Sequence, residues 1–164
     1  NDTSMTDFKE VAKYVDAFIG IDTTPFGKSY YKWFEIFFTR HFTAMARLYP
    51  FNYYCKTVAS ASTYTEESYE SLYKSVAKLG KKGMLQCGEA IFKDFPNYDE
   101  VKFSCPVLLV VGEHDMIGYV KKYNELWHSM RGYPLTIIPN AAHNSNYDNY
   151  EEFNKIVDDF LKSI

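Results

Sequence analysis

The sequence predicts an α/β fold in which the end of an open parallel sheet carries an inserted all-helical block. Three observations predict it. The run Val107-Leu108-Leu109-Val110-Val111 is unbroken and rich in β-branched residues and leucine, as suits a parallel strand buried on both faces. A helix-length pattern and a second strand-like run, Leu135-Thr136-Ile137-Ile138, follow it and give the alternation of a crossover unit. Between about residue 29 and residue 95, apolar residues recur at spacings of three and four with no strand-like run of comparable quality.

Taken in order, residues 8–15 have a short helical pattern and lead into an apolar strand, residues 16–21, that ends in the loop Asp22-Thr23-Thr24-Pro25. A first helix of the inserted block is expected from Tyr30 to about Tyr49, stopped by Pro50, because proline disfavours helix in the residue before it. A second runs from about Asn52 to Ala61. For the third, Thr63 to Glu66 matches a Ser/Thr-x-x-Glu capping box, Tyr69, Leu72, Tyr73, Val76 and Leu79 continue the stripe, and Gly80 supplies a left-handed C-cap. A fourth, about 84–94, stops before Pro96. After the strand at 107–111, Val120, Tyr123, Leu126, Trp127 and Met130 mark a helix ended by Gly132. The last helix starts near Asp148, with Glu151 at capping-box spacing and a stripe of Tyr150, Phe153, Ile156, Val157, Phe160 and Leu161. Two units follow from this order: a sheet-bearing core, residues 1–27 and 97–164, and an inserted helical block, residues 28–96. Three strands are few for a parallel sheet, and further strands from elsewhere are expected to pair with the edge near Phe18.

Composition narrows the function classes. At 164 residues and 46% hydrophobic the chain can bury one core. A net charge of −3 gives no basic field for nucleic acid or an anionic membrane, and the longest apolar runs fall far short of the ~20 residues of a membrane span. Cys55, Cys87 and Cys105 are odd in number and form no CxxC pair, which fits reduced, buried thiols in a cytoplasmic setting. His41 and His128 lack partners at metal-ligand spacing, so no metal site is expected.

In an open parallel sheet, reactive groups gather past the C-terminal ends of the strands. The strand at 107–111 is followed by Gly112-Glu113-His114-Asp115, and that at 135–138 by Pro139-Asn140-Ala141-Ala142-His143. Alone, Asp115 reads as a helix-capping loop residue and His143 as a surface histidine. Together they place a carboxylate and an imidazole on neighbouring strand ends, the arrangement of an acid that orients a base. Glu113 and His114 read better as solvent-facing hydrogen-bonding residues than as catalysts.

Strand-Gly-Glu-x-Asp, helix, strand, a small-residue turn ending in His, and an amphipathic last helix resemble the C-terminal part of the α/β-hydrolase family. The resemblance covers essentially the whole chain and is strongest from Asp115 to His143. It implies Asp115 as triad acid, His143 as triad base, residues 28–96 as the cap, and Gly20-Ile21-Asp22-Thr23-Thr24-Pro25 as the strand and loop leading into it. The family's Gly-x-Ser-x-Gly nucleophile elbow occurs nowhere in the 164 residues, and the early strands and oxyanion-hole loop are also lacking. The elbow is expected just before Asn1, in an N-terminal half of the same protein.

The implied activity is cofactor-independent serine hydrolysis of an ester, thioester or amide when the protein is complete, with the 164 residues alone inactive. A small-molecule substrate with an apolar acyl group is expected, lined by Tyr30, Trp33, Phe34 and Phe37 from the cap and by Met116 and Ile117 beside the acid. For those rings, helix core is the more frequent role. The competing function is a non-catalytic binding protein that keeps the scaffold without a nucleophile.

Overall fold

In the computed structural model, residues 14–25, 27–92 and 102–164 are described. The helix expected at 8–15 lies outside them, as does the end of the one expected at 84–94. Three parallel strands form the sheet: β1 (Phe18–Ile21), β2 (Val107–Gly112) and β3 (Leu135–Ile138), in the spatial order β1-β2-β3. Phe18 aligns with Val107 and Ile21 with Val110, while Leu109 aligns with Leu135 and Gly112 with Ile138. This register brings the C-terminal ends of the three strands to one edge, where the loops of interest leave the sheet. Among the described residues, β1 pairs with β2 alone and its other side is open.

β2 is central because its side chains have apolar partners on both faces. Val107 and Leu109 pack on one face with Tyr30 and with Tyr123 and Trp127 of α4 (Val120–Arg131). Leu108 and Val110 pack on the other with Ile138, Ala141 and the stripe Phe153, Ile156 and Phe160 of α6 (Tyr150–Lys162). Leu109, Val110 and Val111 are fully buried, and each such side chain contributes about 1.5–3 kcal/mol of transfer free energy. No residue of α6 is itself buried, so the face it covers is the more thinly protected of the two.

The block from 28 to 92 is helical. A turn of 3-10 helix at Lys28–Tyr30 and an extended Tyr31 precede α1 (Trp33–Ala46), so this helix is shorter than expected at both ends. The Glu35 carboxylate accepts from the Lys32 amide at 2.6 Å and caps the first turn, which is why the helix begins after Lys32. α2 (Phe51–Ser62) follows Pro50. α3 (Glu66–Phe92) bends at Gly80, whose φ of 73° and ψ of 163° break the helix without the left-handed cap that the glycine suggested. The third and fourth expected helices are thus two arms of one bent element. Its N-terminal cap also differs: Thr65, not Thr63, accepts from the N–H of Ser68, while the Thr63 hydroxyl donates back to the Ala59 carbonyl at the end of α2.

The last helix is likewise capped one residue later than expected. The Asn149 side chain accepts from the Glu152 amide, and a short turn, α5 (Ser145–Asp148), precedes it. Asp148 is engaged elsewhere, as described below. Cys55 is buried, Cys105 is half-buried and Cys87 is exposed, so the expectation of three buried thiols holds only in part: all three are unbridged, but Cys87 lies on an outward turn of α3.

Candidate active site

Gly112 is the first residue whose identity the site dictates. The loop after β3 crosses directly over it, so that a Cβ at this position would stand 2.0 Å from the Ala142 carbonyl oxygen and 2.6 Å from that of Ala141. Only glycine admits the crossing. The crossing is then stitched by backbone hydrogen bonds: Glu113 N–H donates to the Ile138 carbonyl at 2.9 Å and His114 N–H to that of Ala141 at 2.8 Å. Asn140 takes a positive φ of 54° to turn the chain there.

This stitching brings the Asp115 and His143 side chains together. The His143 Nδ1 lies 3.0 Å from Asp115 Oδ2, and the Asp115 side chain is wholly buried whereas His143 is 31% exposed. The other carboxylate oxygen, Oδ1, accepts from the Ile117 amide at 2.8 Å, which fixes the rotamer. Burial alone would disfavour an imidazolium at His143, but the hydrogen bond and charge of Asp115, with the charge of Asp22, more than offset it and hold the imidazole above its ordinary value. A base that remains oriented by a buried carboxylate, with its ring partly open to solvent, is equipped to take and return a proton.

Asp22 was not singled out from sequence, although it follows β1 as Asp115 follows β2. It sits at a positive φ of 43° and is 7% exposed. Its Oδ1 accepts from Gly112 N–H at 2.9 Å, and its Oδ2 accepts from Ser145 N–H at 3.0 Å and from the Ser145 hydroxyl. One carboxylate therefore ties all three strand-end loops together. Burial raises its affinity for a proton, opposed by those hydrogen bonds and by His143. Ser145, fully buried and committed to Asp22, is not a nucleophile for an external substrate.

A second carboxylate joins the histidine loop to the helical block. Asp148 accepts from the amides of Ala142 at 2.9 Å, of Tyr64 at 3.0 Å and of Thr65 at 3.3 Å, the last two at the junction of α2 and α3. Next to His143, Asn144 donates from its backbone to the Ser62 carbonyl and from its side chain to the Ser68 hydroxyl. His143 is thus held from both the sheet and the helices. The sequence marks Asp148 only as a helix start, and neither its bonds to the helical block nor those of Asn144 could be read locally, since those partners lie some eighty residues away.

A cavity of about 520 Å³ opens beside His143. Phe34 and Ile117 line it, along with Tyr31, Glu35, Phe38, Phe92, Tyr119 and Tyr123. The other expected substrate contacts stand elsewhere. Tyr30 is 4% exposed and belongs to the core beneath β2, while Trp33, Phe37 and Met116 point outward, at 80%, 50% and 85% exposure, and do not line the cavity. The helical stripe carries rings on more than one side of α1, and sequence periodicity could not assign the inward side. Glu113 lies 3.6 Å from His114, which stacks on Tyr64 at 4.7 Å between ring centroids. His41 and His128 contact backbone carbonyls of Phe37 and Tyr133 through Nδ1. Among the described residues, no cluster of His, Cys, Asp and Glu is arranged to hold a metal ion, and no helix is long and apolar enough to cross a membrane.

No model of a known family and no curated protein sequence matches the chain. Solved structures do. A thermophilic esterase superposes with a TM-score of 0.67 at 20% identity over 95% of this chain, and an esterase from Thermogutta terrifontis with 0.70 at 14% over 94%. MGS-M2, an α/β hydrolase enzyme from a Medee basin deep-sea metagenome library, superposes with 0.59 at 18% over 95%. The chain spans 60%, 58% and 60% of the length of these three proteins. At such identities the likeness establishes architecture, and the three-stranded parallel sheet with its helices has the fold of the C-terminal portion of an α/β-hydrolase.

Proposed function

We propose that the chain is the acid-and-base portion of a serine hydrolase that cleaves an ester, thioester or amide, with Asp115 as the triad acid, His143 as the base and residues 28–96 as a cap over the active site. The observation that carries this reading is the 3.0 Å contact between His143 Nδ1 and a wholly buried Asp115, at the strand ends of an α/β-hydrolase fold. With Nδ1–H donating to Asp115, Nε2 is the basic nitrogen. It removes the proton of a nucleophile supplied from outside these 164 residues and returns it to the leaving group, while Asp115 stabilises the imidazolium in between. No Gly-x-Ser-x-Gly elbow lies within the sequence, so the 164 residues by themselves have no acyl-accepting group and are inactive. The esterase names of the structural neighbours favour a small-molecule ester, and the rings lining the cavity favour an apolar acyl group.

The test is labelling of the native protein that carries this sequence with a fluorophosphonate, beside its His143→Ala variant. Labelling that disappears in the variant is the expected result. Labelling that survives the substitution refutes His143 as the base, and absence of labelling in the native protein favours a binding protein that retains the scaffold.

A further inference from the structure

The side-chain hydrogen bonds of Asp22, buried at the end of β1, divide between the loop of the acid and the loop of the base. Toward the acid, Oδ1 accepts from the Gly112 N–H at 2.9 Å, and the Gly112 carbonyl in turn accepts from the N–H of Asp115 at 3.2 Å. Toward the base, Oδ2 accepts from the Ser145 N–H at 3.0 Å and from the Ser145 hydroxyl, two residues past His143. The two oxygens of one carboxylate therefore reach the two segments that must stay in register for the 3.0 Å contact between His143 and Asp115.

Asp22 is itself held on both sides. Its own N–H donates to the Val110 carbonyl at 2.9 Å and continues the ladder between β1 and β2, while the carbonyl of the next residue, Thr23, accepts from the side chain of the fully buried Asn124 of α4. The backbone of Asp22 takes a positive φ of 43°, which aspartate tolerates better than most side chains and which turns the carboxylate across the strand ends. A group anchored to a rigid sheet and bonded to two loops passes the rigidity of the sheet to both, and a general base needs that fixed placement. Asp22 also borders the cavity beside His143, and its charge adds to that of Asp115 in favouring the protonated ring.

We propose that Asp22 is a positioning residue for the base, holding the histidine loop against the acid loop through Ser145 and Gly112 so that His143 stays paired with Asp115. The proposal rests on His143 being the base of the reading above, but the placement of the ring is read separately from activity. In Asp22→Asn the Oδ1 acceptor for Gly112 is kept, whereas the new Nδ2 meets the Ser145 N–H donor to donor, so the arm toward the base is lost selectively.

In the native protein that carries this sequence, NMR follows the proton between His143 Nδ1 and Asp115, which a charge-assisted hydrogen bond deshields and protects from exchange with water, beside kcat and KM for p-nitrophenyl butyrate. Asp22→Asn is expected to lose that resonance and to lower kcat about tenfold or more with KM within about twofold, because misplacing a reacting group by about 1 Å costs on the order of 10²-fold. Ser145→Ala, which removes the hydroxyl but keeps the carboxylate and the Ser145 amide, is expected to speed exchange of the same proton and decides the matter if Asp22→Asn does not fold. Gly132→Ala, at the C-terminal end of α4, costs stability without touching these loops and should leave resonance and kcat as in the parent. Absence of the resonance from the parent, its persistence in Asp22→Asn, or, where that variant does not fold, unaltered exchange in Ser145→Ala overturns the proposal. Loss of the resonance in Asp22→Asn with kcat retained upholds the positioning and counts instead against His143 as the base.

Discussion

Replacing Gly112 by alanine tests how the fold positions its histidine. The added Cβ would stand 2.0 Å from the Ala142 carbonyl oxygen, where contacts below 3.0 Å do not persist, so the histidine loop has to withdraw by about 1 Å. His143 is the next residue, and its 3.0 Å contact to Asp115 would open toward about 4 Å, past the range of a hydrogen bond. Overpacking of this kind destabilises by about 1–3 kcal/mol, which for a chain of this length lowers Tm by about 2–12 °C. Gly132→Ala is the control: it forces alanine into a φ of 71° with nothing within 4 Å, so it brings conformational strain of about 1–2 kcal/mol but no displacement of the loop. The assays are thermal unfolding and the NMR titration of the His143 ring. Both variants lose stability, but only Gly112→Ala moves the His143 titration down toward the ordinary imidazole range, because only there is the carboxylate pulled away. A Gly112→Ala chain whose His143 titrates as in the parent would refute the idea that this crossing sets the pair.

Asp115→Asn removes the charge that holds His143 above its ordinary value, and the ring should titrate lower in NMR with the fold retained. Because the folded-state value of His143 is raised, its stabilising contribution is fully present below the unfolded value near 6.5 and is lost as pH rises through the folded value. Urea midpoints of the parent and Asp115→Asn should therefore converge as pH rises across that window. Asp22 behaves in the opposite way to an ordinary paired carboxylate. Its raised value means that the folded chain holds the proton more tightly, so its contribution to stability falls as pH rises from about 3.8 through the raised value, a slope that Asp22→Asn should remove from the urea midpoints. Asp148→Ala leaves the amides of Ala142, Tyr64 and Thr65 without their acceptor and should lower stability by about 1–3 kcal/mol in urea unfolding. It should also speed amide exchange at the junction of α2 and α3, and unchanged exchange there would show that Asp148 does not join the helices to the histidine loop.

The sheet and the pair at its edge were legible because each depends on local pattern. The run Val107–Val111 is apolar on both faces, as a central parallel strand must be, and Gly-Glu-x-Asp and the Ala-Ala-His turn lie at the ends of strands that the sequence marks. The parts that were not legible depend on distance. Asp22 is bonded to Gly112 and Ser145 across 90 and 123 positions, and Asp148 to Tyr64 across 84, so nothing near either residue in sequence points to these bonds. The cap of α3 at Thr65 rather than Thr63 has the same origin, because Asp148 takes up the Tyr64 and Thr65 amides and shifts the start of the helix. The cavity lining was legible at two of the six expected positions. Phe34 and Ile117 face it, whereas Tyr30 was drawn into the sheet core and Trp33, Phe37 and Met116 turn outward; for the three rings on α1 the division follows from how that helix packs and not from its periodicity.

The pairing of His143 with Asp115 as base and acid is tested most directly by the kcat/KM of the native protein for p-nitrophenyl butyrate, with and without His143→Ala. Loss of about 10³-fold or more with the fold intact is the result expected of a triad base. Retention of activity within tenfold would contradict it and return His143 to the role of a structural loop residue.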